Sequence, residues 1–278
     1  QADSATAEPL RVMTFNIRYN NPNDGPDAWP HRSDWVAEIV RDSGVDGAGF
    51  QEVVHEQTQD LQAALTAYGW YGVGRDDGKQ RGESVPIFYR RERFELLDKS
   101  AFWLSETPEV AGSKSWDAAI TRVTTWIKLR DRYTYTVFFV LNTHFDHVGN
   151  EARTESARLL RKRIEEIAGN APAVLLGDFN SKTSTQAYAI LTGQDEADGV
   201  VLADARTRVQ GDAKGPDSTW NGFRRIVPGR RIDFIFVCPA FSVRSHTIDD
   251  QQRDGRFPSD HLPVTAELVF NNDRRQSP

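Results

Sequence analysis

The strongest constraint on this chain is how its apolar, β-favouring runs end. Leu10–Ile17 carries Asn16 near its end, Val45–Phe50 runs into Gln51-Glu52, and Tyr133–Asn142 runs into Thr143-His144. Ala173–Leu176 leads to Gly177-Asp178-Phe179-Asn180, Asp233 lies in the run Arg231–Val237, and Ser259-Asp260-His261 stands before Pro263–Phe270. Strand ends of a layered sheet protein converge on one rim. Asp, Asn and His gathered there make a site for a hard metal ion and a phosphate ester.

The length of 278 residues allows one or two domains, and a single large sheet domain of that size can bury a large core. With 38% hydrophobic and 27% charged residues the composition is that of an ordinary globular protein. No repeat or low-complexity linker divides the chain. Residues 10–270 therefore read as one domain, with 1–9 and 271–278 as disordered tails.

Helical spacing marks His31–Asp42 (Trp35, Val36, Ile39, Val40) and Glu56–Tyr68 (Leu61, Ala64, Leu65, Tyr68). It also marks Glu151–Ile167 and Thr185–Leu191. Further strands are predicted at Trp70–Val73, Ser84–Arg90, Phe94–Leu104 and Val123–Leu129, with Arg130-Asp131-Arg132 turning a hairpin into Tyr133–Asn142. Strands outnumber helices and several neighbours are hairpin-like. That pattern predicts mixed or antiparallel sheets, packed as a two-layer β-sandwich covered by helices, rather than a doubly wound parallel sheet.

A formal net charge of −6 argues against a protein that coats nucleic acid electrostatically, though not against one that grips a single phosphate through a metal. No apolar run is long enough for a transmembrane helix. The sole cysteine, Cys238, cannot form an internal disulfide and reads as a core residue. The small, polar start Gln1–Pro9 has no initiator methionine and reads as the remnant of a processed signal peptide. A secreted or periplasmic location is expected on that basis; a trimmed segment is the plainer alternative. No coiled coil or interface stripe is visible, and a monomer is expected.

Within the polar clusters, Glu52 follows an apolar strand directly. Asp178 and Asn180 are two apart, hence on one side of an extended strand, and pair a charged with a neutral oxygen. Asp260 and His261 are adjacent, so Asp260 can face a metal while His261 faces the phosphate. A histidine base needs an acceptor on its second nitrogen; Asp233 is the candidate for His261, and Glu83 for His144. Each residue alone is more often structural than catalytic; the cluster as a whole is the signal.

In order along the chain stand Thr14-Phe15-Asn16, Gln51-Glu52-Val53, Asn142-Thr143-His144, Gly177-Asp178-Phe179-Asn180, Arg231-Ile232-Asp233-Phe234-Ile235 and Ser259-Asp260-His261-Leu262-Pro263. This series resembles the endonuclease/exonuclease/phosphatase superfamily over residues 10–270, and in particular a secreted bacterial branch. The resemblance implies a four-layer α/β/β/α sandwich of two mixed, mainly antiparallel sheets flanked by helices. It implies phosphoester hydrolysis with Mg²⁺ or Mn²⁺, as one ion or two. By residue match Glu52 is the main metal ligand with Asn16 and Asp260 nearby, and Asp178 and Asn180 position the water and the scissile phosphate. His261, oriented by Asp233, contacts the phosphate, and His144, oriented by Glu83, assists the leaving group.

Around this set, the loop Asn20–Arg32 follows Asn16, so Asn20, Trp29 and Arg32 are candidates for a substrate pocket; the alternative is a packed loop anchored by Trp29. Arg122 and His147 are further candidates for phosphate or substrate contact. So is Arg231, from a cluster with Arg224, Arg225 and Arg230 that otherwise reads as a solvated turn. The favoured function is hydrolysis of a soluble sugar, inositol or nucleotide phosphate. A deoxyribonuclease-like activity is the alternative, disfavoured by the missing basic groove. A lipid phosphodiesterase lacks an exposed apolar hairpin, and a non-catalytic binding module would be expected to have lost part of the cluster.

Overall fold

A computed structural model describes residues 8–195 and 197–271. The first sheet runs in the order β11-β12-β1-β2-β4-β3. These are β1 (Leu10–Asn16), β2 (Gly47–Gln51), β3 (Tyr68–Tyr71), β4 (Ile87–Arg90), β11 (Phe241–Ile248) and β12 (Val264–Phe270). The second runs in the order β5-β6-β7-β8-β10-β9, from β5 (Phe94–Trp103), β6 (Val123–Asp131), β7 (Val137–His144), β8 (Ala173–Asp178), β9 (Ala203–Asp204) and β10 (Asp233–Val237). Each sheet holds one parallel pair, β1 with β2 and β7 with β8; the other pairs are antiparallel. A parallel pair needs a crossover. Helix α1 (Ser33–Asp42) provides it in the first sheet and α3 (Asn150–Ala168) in the second.

Alternation along β1 sets the layers. Met13, Phe15 and Ile17 pack with Val36, Ala37 and Val40 of α1 and Leu61 of α2 (His55–Ala64). Leu10 and Val12 belong to the core shared with the second sheet, beyond which lie Leu160 and Ile164 of α3 and Tyr188 and Ile190 of α4 (Gln186–Leu191). The result is the expected α/β/β/α sandwich. Because side chains alternate with a period of two, Thr14 and Asn16 share the inter-sheet face with Val12. That parity carries Asn16 to the rim between the sheets.

Below the rim a polar layer crosses the sandwich. Gln51 Nε2 donates to Thr14 Oγ1 (3.0 Å) and to Asn142 Oδ1 (2.6 Å), and Asn142 Nδ2 reaches Phe50 O (2.8 Å) and Pro86 O (3.0 Å). Asn142 can cross because residue 49 is glycine; a Cβ there would stand 2.7 Å from Asn142 Cγ.

Several expected boundaries move. The helix predicted to Tyr68 ends at Ala64, because Tyr68 starts β3 and its hydroxyl donates to Val45 O at 2.6 Å. The hairpin after β6 is wider than predicted: Asp131 Oδ1 accepts from the amides of Tyr133 and Thr134, so β7 begins at Val137. Phe241–Ile248 was not predicted as a strand; its alternation is broken by a register shift between Val243 and Ser245. Of the expected tails, Glu8 and Pro9 are pinned through their carbonyls by Arg93, and Asn271 hydrogen-bonds Ser242 and Pro239. Residues 1–7 and 272–278 lie outside the described residues. Cys238 is buried, as expected. No described helix is long and apolar enough to cross a membrane.

His246 on β11 is buried, and that burial, with Arg206 and Arg231 adding to it against Asp204, lowers its pKa to about 4. The unfolded chain therefore takes up this proton first as pH falls. Its contribution is fully present above the ordinary value of 6.5 and is lost as pH drops towards 4. His246→Leu is expected to flatten the wild-type loss of unfolding free energy across that window by about 3 kcal/mol, as read from urea denaturation at successive pH values. An unchanged slope would contradict the assignment.

Candidate active site

The open rim collects residues from β1, β2, β7, β8, β10 and the segment before β12. Asn16, at the end of β1, donates its amide to Glu52 Oε1 and to Asp178 Oδ2, both at 3.0 Å. Its oxygen accepts from the Arg18 amide at 3.0 Å. Asn16 thus presents a donor to the two carboxylates. Glu52 also accepts from the Tyr19 amide (3.2 Å), and Arg18 stands 3.8 Å away.

Arg18, Glu52 and Asn180 all have positive φ, at 56°, 62° and 46°. Such conformations carry strain for non-glycine residues and concentrate at functional sites. They also correct the expectation for Asp178 and Asn180. The chain turns after β8, so the pair does not share a strand face. Asn180 N donates back to Asp178 Oδ1 (2.9 Å), and Asn180 Nδ2 reaches Phe145 O (3.1 Å) and His144 Nε2 (3.0 Å).

The two histidines are held in opposite states. His261 Nδ1 stands 2.9 Å from Asp233 Oδ2, and its Nε2 lies 3.7 Å from Asp178 Oδ2. Burial alone would lower its pKa; Asp233 and then Asp178 overcome that and raise it well above the ordinary value. His144 is lowered well below the ordinary value by burial, then by Arg122 and His261. Its Nε2 therefore accepts from the Asn180 amide, which leaves the proton on Nδ1. Between them Asp178, fully buried and facing Asp233, is pushed up to about 7. Separated protonation states of this kind are how one site supplies both an acid and a base.

The expected Glu83–His144 pair does not form. Glu83 accepts from Arg75 Nη1 at 2.7 Å, and burial and the nearby Glu52 raise its pKa. A cation satisfies this carboxylate better than a neutral imidazole does.

Two donor sets could hold a metal. Oxygen and nitrogen atoms of Asp178, Asp233 and His261 lie within 4.8 Å of one another. Asp233 and His261 already bond each other, and an ion there would break that pair. Glu52 and Asp260 are less deeply buried, and Asp260 is raised by burial and by Glu52. Two mutually repelling carboxylates with room for water suit Mg²⁺ or Mn²⁺ better, so the residues present fit such an ion.

The expected pocket loop is packed. Trp29 is buried, with Nε1 on Asp60 (2.7 Å). Arg32 is buried with its donors on backbone carbonyls of Asp27, Ile17, Pro258 and Arg18, and burial lowers its pKa to about 10. Both hold the loop and do not offer groups to substrate. Arg231 is likewise committed, to Asp204 at 2.8 Å. Asn20, half-exposed, bonds Gln57 and Glu56. His147 is exposed, and Arg122 is buried beside it.

Sequence reasoning missed Thr219 and Asn221. Thr219 Oγ1 accepts from the amides of Ile232 (3.0 Å) and Asp233 (3.1 Å), while its carbonyl accepts from Leu262 N (2.7 Å). One residue thus sets Asp233 against His261. Asn221 binds Ser259 O through its side chain and Asp260 O through its amide. Their only signal was a small polar run, Asp217-Ser218-Thr219, between Pro216 and Pro228.

Residues 13–261 match the Endonuclease/Exonuclease/phosphatase family. The chain belongs to that family. An endonuclease/exonuclease/phosphatase of Bacteroides vulgatus is 43% identical, with a TM-score of 0.90 over 95% of this chain and 99% of that one. A mannosyl-6-phosphatase of Bacteroides thetaiotaomicron is 37% identical, with a TM-score of 0.86 over 94% of this chain and 100% of that one. Nocturnin of Drosophila melanogaster is 25% identical over 94% of this chain and 47% of its own length. The chain spans about half the length of the curated relatives it matches. Its relatives include a phosphatase and exoribonuclease subunits, and bacterial proteins stand among its structural neighbours.

If Glu52 and Asp260 hold the ion, Asp260→Asn should weaken Mn²⁺ binding by at least about tenfold. Because burial, ahead of the neighbouring charges, disfavours the Asp260 carboxylate, an amide in its place should not lower the melting temperature in EDTA. Unaltered Mn²⁺ affinity by calorimetry would move the ion elsewhere.

Proposed function

We propose that this protein hydrolyses a phosphate ester of a small soluble molecule, with a sugar phosphate as the first class to test, using Mg²⁺ or Mn²⁺. The observation that carries the reading is the placement of His261 Nε2 (3.7 Å) and His144 Nε2 (3.4 Å) on Asp178 Oδ2, with Asp233 on the far nitrogen of His261 alone. The bound ion would polarise a phosphoryl oxygen, with Glu52 and Asp260 as its carboxylates. Asp178, raised to about 7, is poised near neutrality to take the proton of an attacking water. His261, kept cationic by Asp233, donates from Nε2 to a phosphoryl oxygen as charge builds there. Asn180 orients neutral His144, whose Nε2 lies 3.4 Å from Asp178 Oδ2.

The sugar assignment is supported by the mannosyl-6-phosphatase, similar along its whole length. Curated relatives named as 3′-5′-exoribonuclease subunits support a second reading, on nucleic acid, at 23% and 26% identity. The net charge of −6 weighs against it. All the residues whose loss would signal a non-catalytic module are present.

Mannose 6-phosphate, glucose 6-phosphate, an inositol phosphate, a nucleotide and single-stranded RNA should be compared with Mg²⁺ and with EDTA. A sugar phosphate is expected to give the highest kcat/KM, abolished by EDTA. His261→Ala and Asp178→Asn should each lower turnover by about 10²–10⁴-fold without loss of the folded circular dichroism spectrum. RNA as the preferred substrate would overturn the sugar assignment, and near-normal turnover in both variants would overturn the site.

A further inference from the structure

Arg18 lies two residues beyond the end of β1 in a left-handed backbone conformation, and its main chain is held from both sides. Its amide donates to Asn16 Oδ1 at 3.0 Å, and its carbonyl accepts from Gln57 Nε2 and Arg32 Nη2, both at 2.9 Å. The guanidinium is clamped as well. Its Nε and Nη2 donate to the two oxygens of Asp24 at 3.0 and 3.2 Å, and its Cζ lies 4.4 Å from the centroid of the Tyr19 ring. Asp24 is braced in turn by Asn21 Nδ2 at 3.0 Å. The loop that buries Trp29 and Arg32 thus also fixes a charged group at the rim.

That clamp leaves one guanidinium nitrogen for the carboxylates assigned to the ion. Arg18 Nη1 stands 3.8 Å from Glu52 Oε2, beyond hydrogen-bond range but well within Coulombic range. Glu52 takes its hydrogen bonds from the Asn16 side chain and the Tyr19 amide. Asp260 acts on Arg18 through space as Glu52 does. His261, Arg18 and Arg32 all favour the Asp260 carboxylate against its burial and against Glu52. His261 is bonded to Asp233, and Arg32 to backbone carbonyls, so both are fixed in place. Arg18 keeps a partly exposed side chain, tied to Asp24 rather than to the pair itself, so its charge can shift.

We propose that Arg18 is a resident counter-cation of the Glu52–Asp260 pair: it steadies the two carboxylates when no ion is bound and weakens the binding of the divalent ion that takes its place. Asp24 sets the strength of that competition by holding the guanidinium back from Glu52. The inference rests on the metal-dependent reading above, with the ion at Glu52 and Asp260. A hard divalent cation is drawn by the summed charge of its carboxylates, and a guanidinium 3.8 Å from one of them offsets part of that charge. At such a separation one unit charge near a protein surface changes an ion's affinity by about tenfold or more. Arginine stays charged at every working pH, so the competition is constant where that of a lysine or histidine would titrate away. The ion is thereby held loosely enough to exchange, and its occupancy follows its concentration.

The test is Mn²⁺ binding by calorimetry, with melting temperatures in EDTA and in Mn²⁺, for wild type, Arg18→Gln, Asp24→Asn and Asp260→Asn. Arg18→Gln should bind Mn²⁺ about tenfold more tightly. It should melt lower than wild type in EDTA, where the carboxylates lose their counter-cation, and gain more from added Mn²⁺. Asp24→Asn frees the guanidinium to close on Glu52 and should weaken Mn²⁺ binding by about three- to tenfold. The two variants break the same ion pair, so a purely structural role would move both affinities the same way. Equal or weaker Mn²⁺ binding in Arg18→Gln would overturn the inference. If Arg18→Gln does not fold, Asp24→Asn decides, and wild-type or tighter Mn²⁺ affinity there would overturn it. Asp260→Asn separates the two layers of the argument. Wild-type Mn²⁺ affinity in that variant would overturn the placement of the ion and Arg18's part with it, whereas weakened binding there with no gain in Arg18→Gln would overturn Arg18's part alone.

Discussion

A water-excluded bond of 2.9 Å between Asp233 and His261 sets the electrostatics of the whole rim. A buried imidazole would ordinarily be neutral. Here the aspartate at the head of β10 holds it charged, and the repulsion between Asp233 and Asp178 is offset by that same charge. Asp178 in turn fixes Asn180 through its backbone, and Asn180 fixes the tautomer of His144. Removing one partner would leave an uncompensated buried charge, which is far costlier than a lost surface ion pair.

The fold supplies this pair by bringing distant chain segments together. Asp233 and Asp178 lie directly opposite in the antiparallel register of β10 and β8. His261 arrives from the other sheet, held by Ser259 Oγ on Asn16 O (2.7 Å) and by Thr219. The two sheets are locked face to face by the Gln51–Asn142 crossing, close below the site. A polar bridge there costs burial energy, and in return fixes the register of one sheet against the other.

Much of this was legible. Apolar runs ending in Asn16, Glu52 and Asp178, with Asp260 just before the last run, pointed to a shared rim, and six ordered motifs pointed to the family. The Asp233–His261 pair followed from the need of a catalytic imidazole for an acceptor. What failed were inferences that require three dimensions. The fate of a carboxylate such as Glu83 depends on which cation is nearest, and Arg75 lies eight residues away across a loop. Trp29 and Arg32 stand beside Asn16 in sequence, but their side chains fill the space beneath the loop. Thr219 gave almost no signal, because its function lies in one hydroxyl and one carbonyl that serve two other segments.

The most direct test is the protonation state of the two histidines, read by ¹⁵N chemical shifts during a pH titration of metal-free protein. The account predicts that at pH 7 His261 is an imidazolium with both nitrogens protonated, and that it stays so well above the ordinary histidine range. His144 should be neutral at the same pH, with its proton on Nδ1. Two histidines titrating together near the ordinary value would contradict the account.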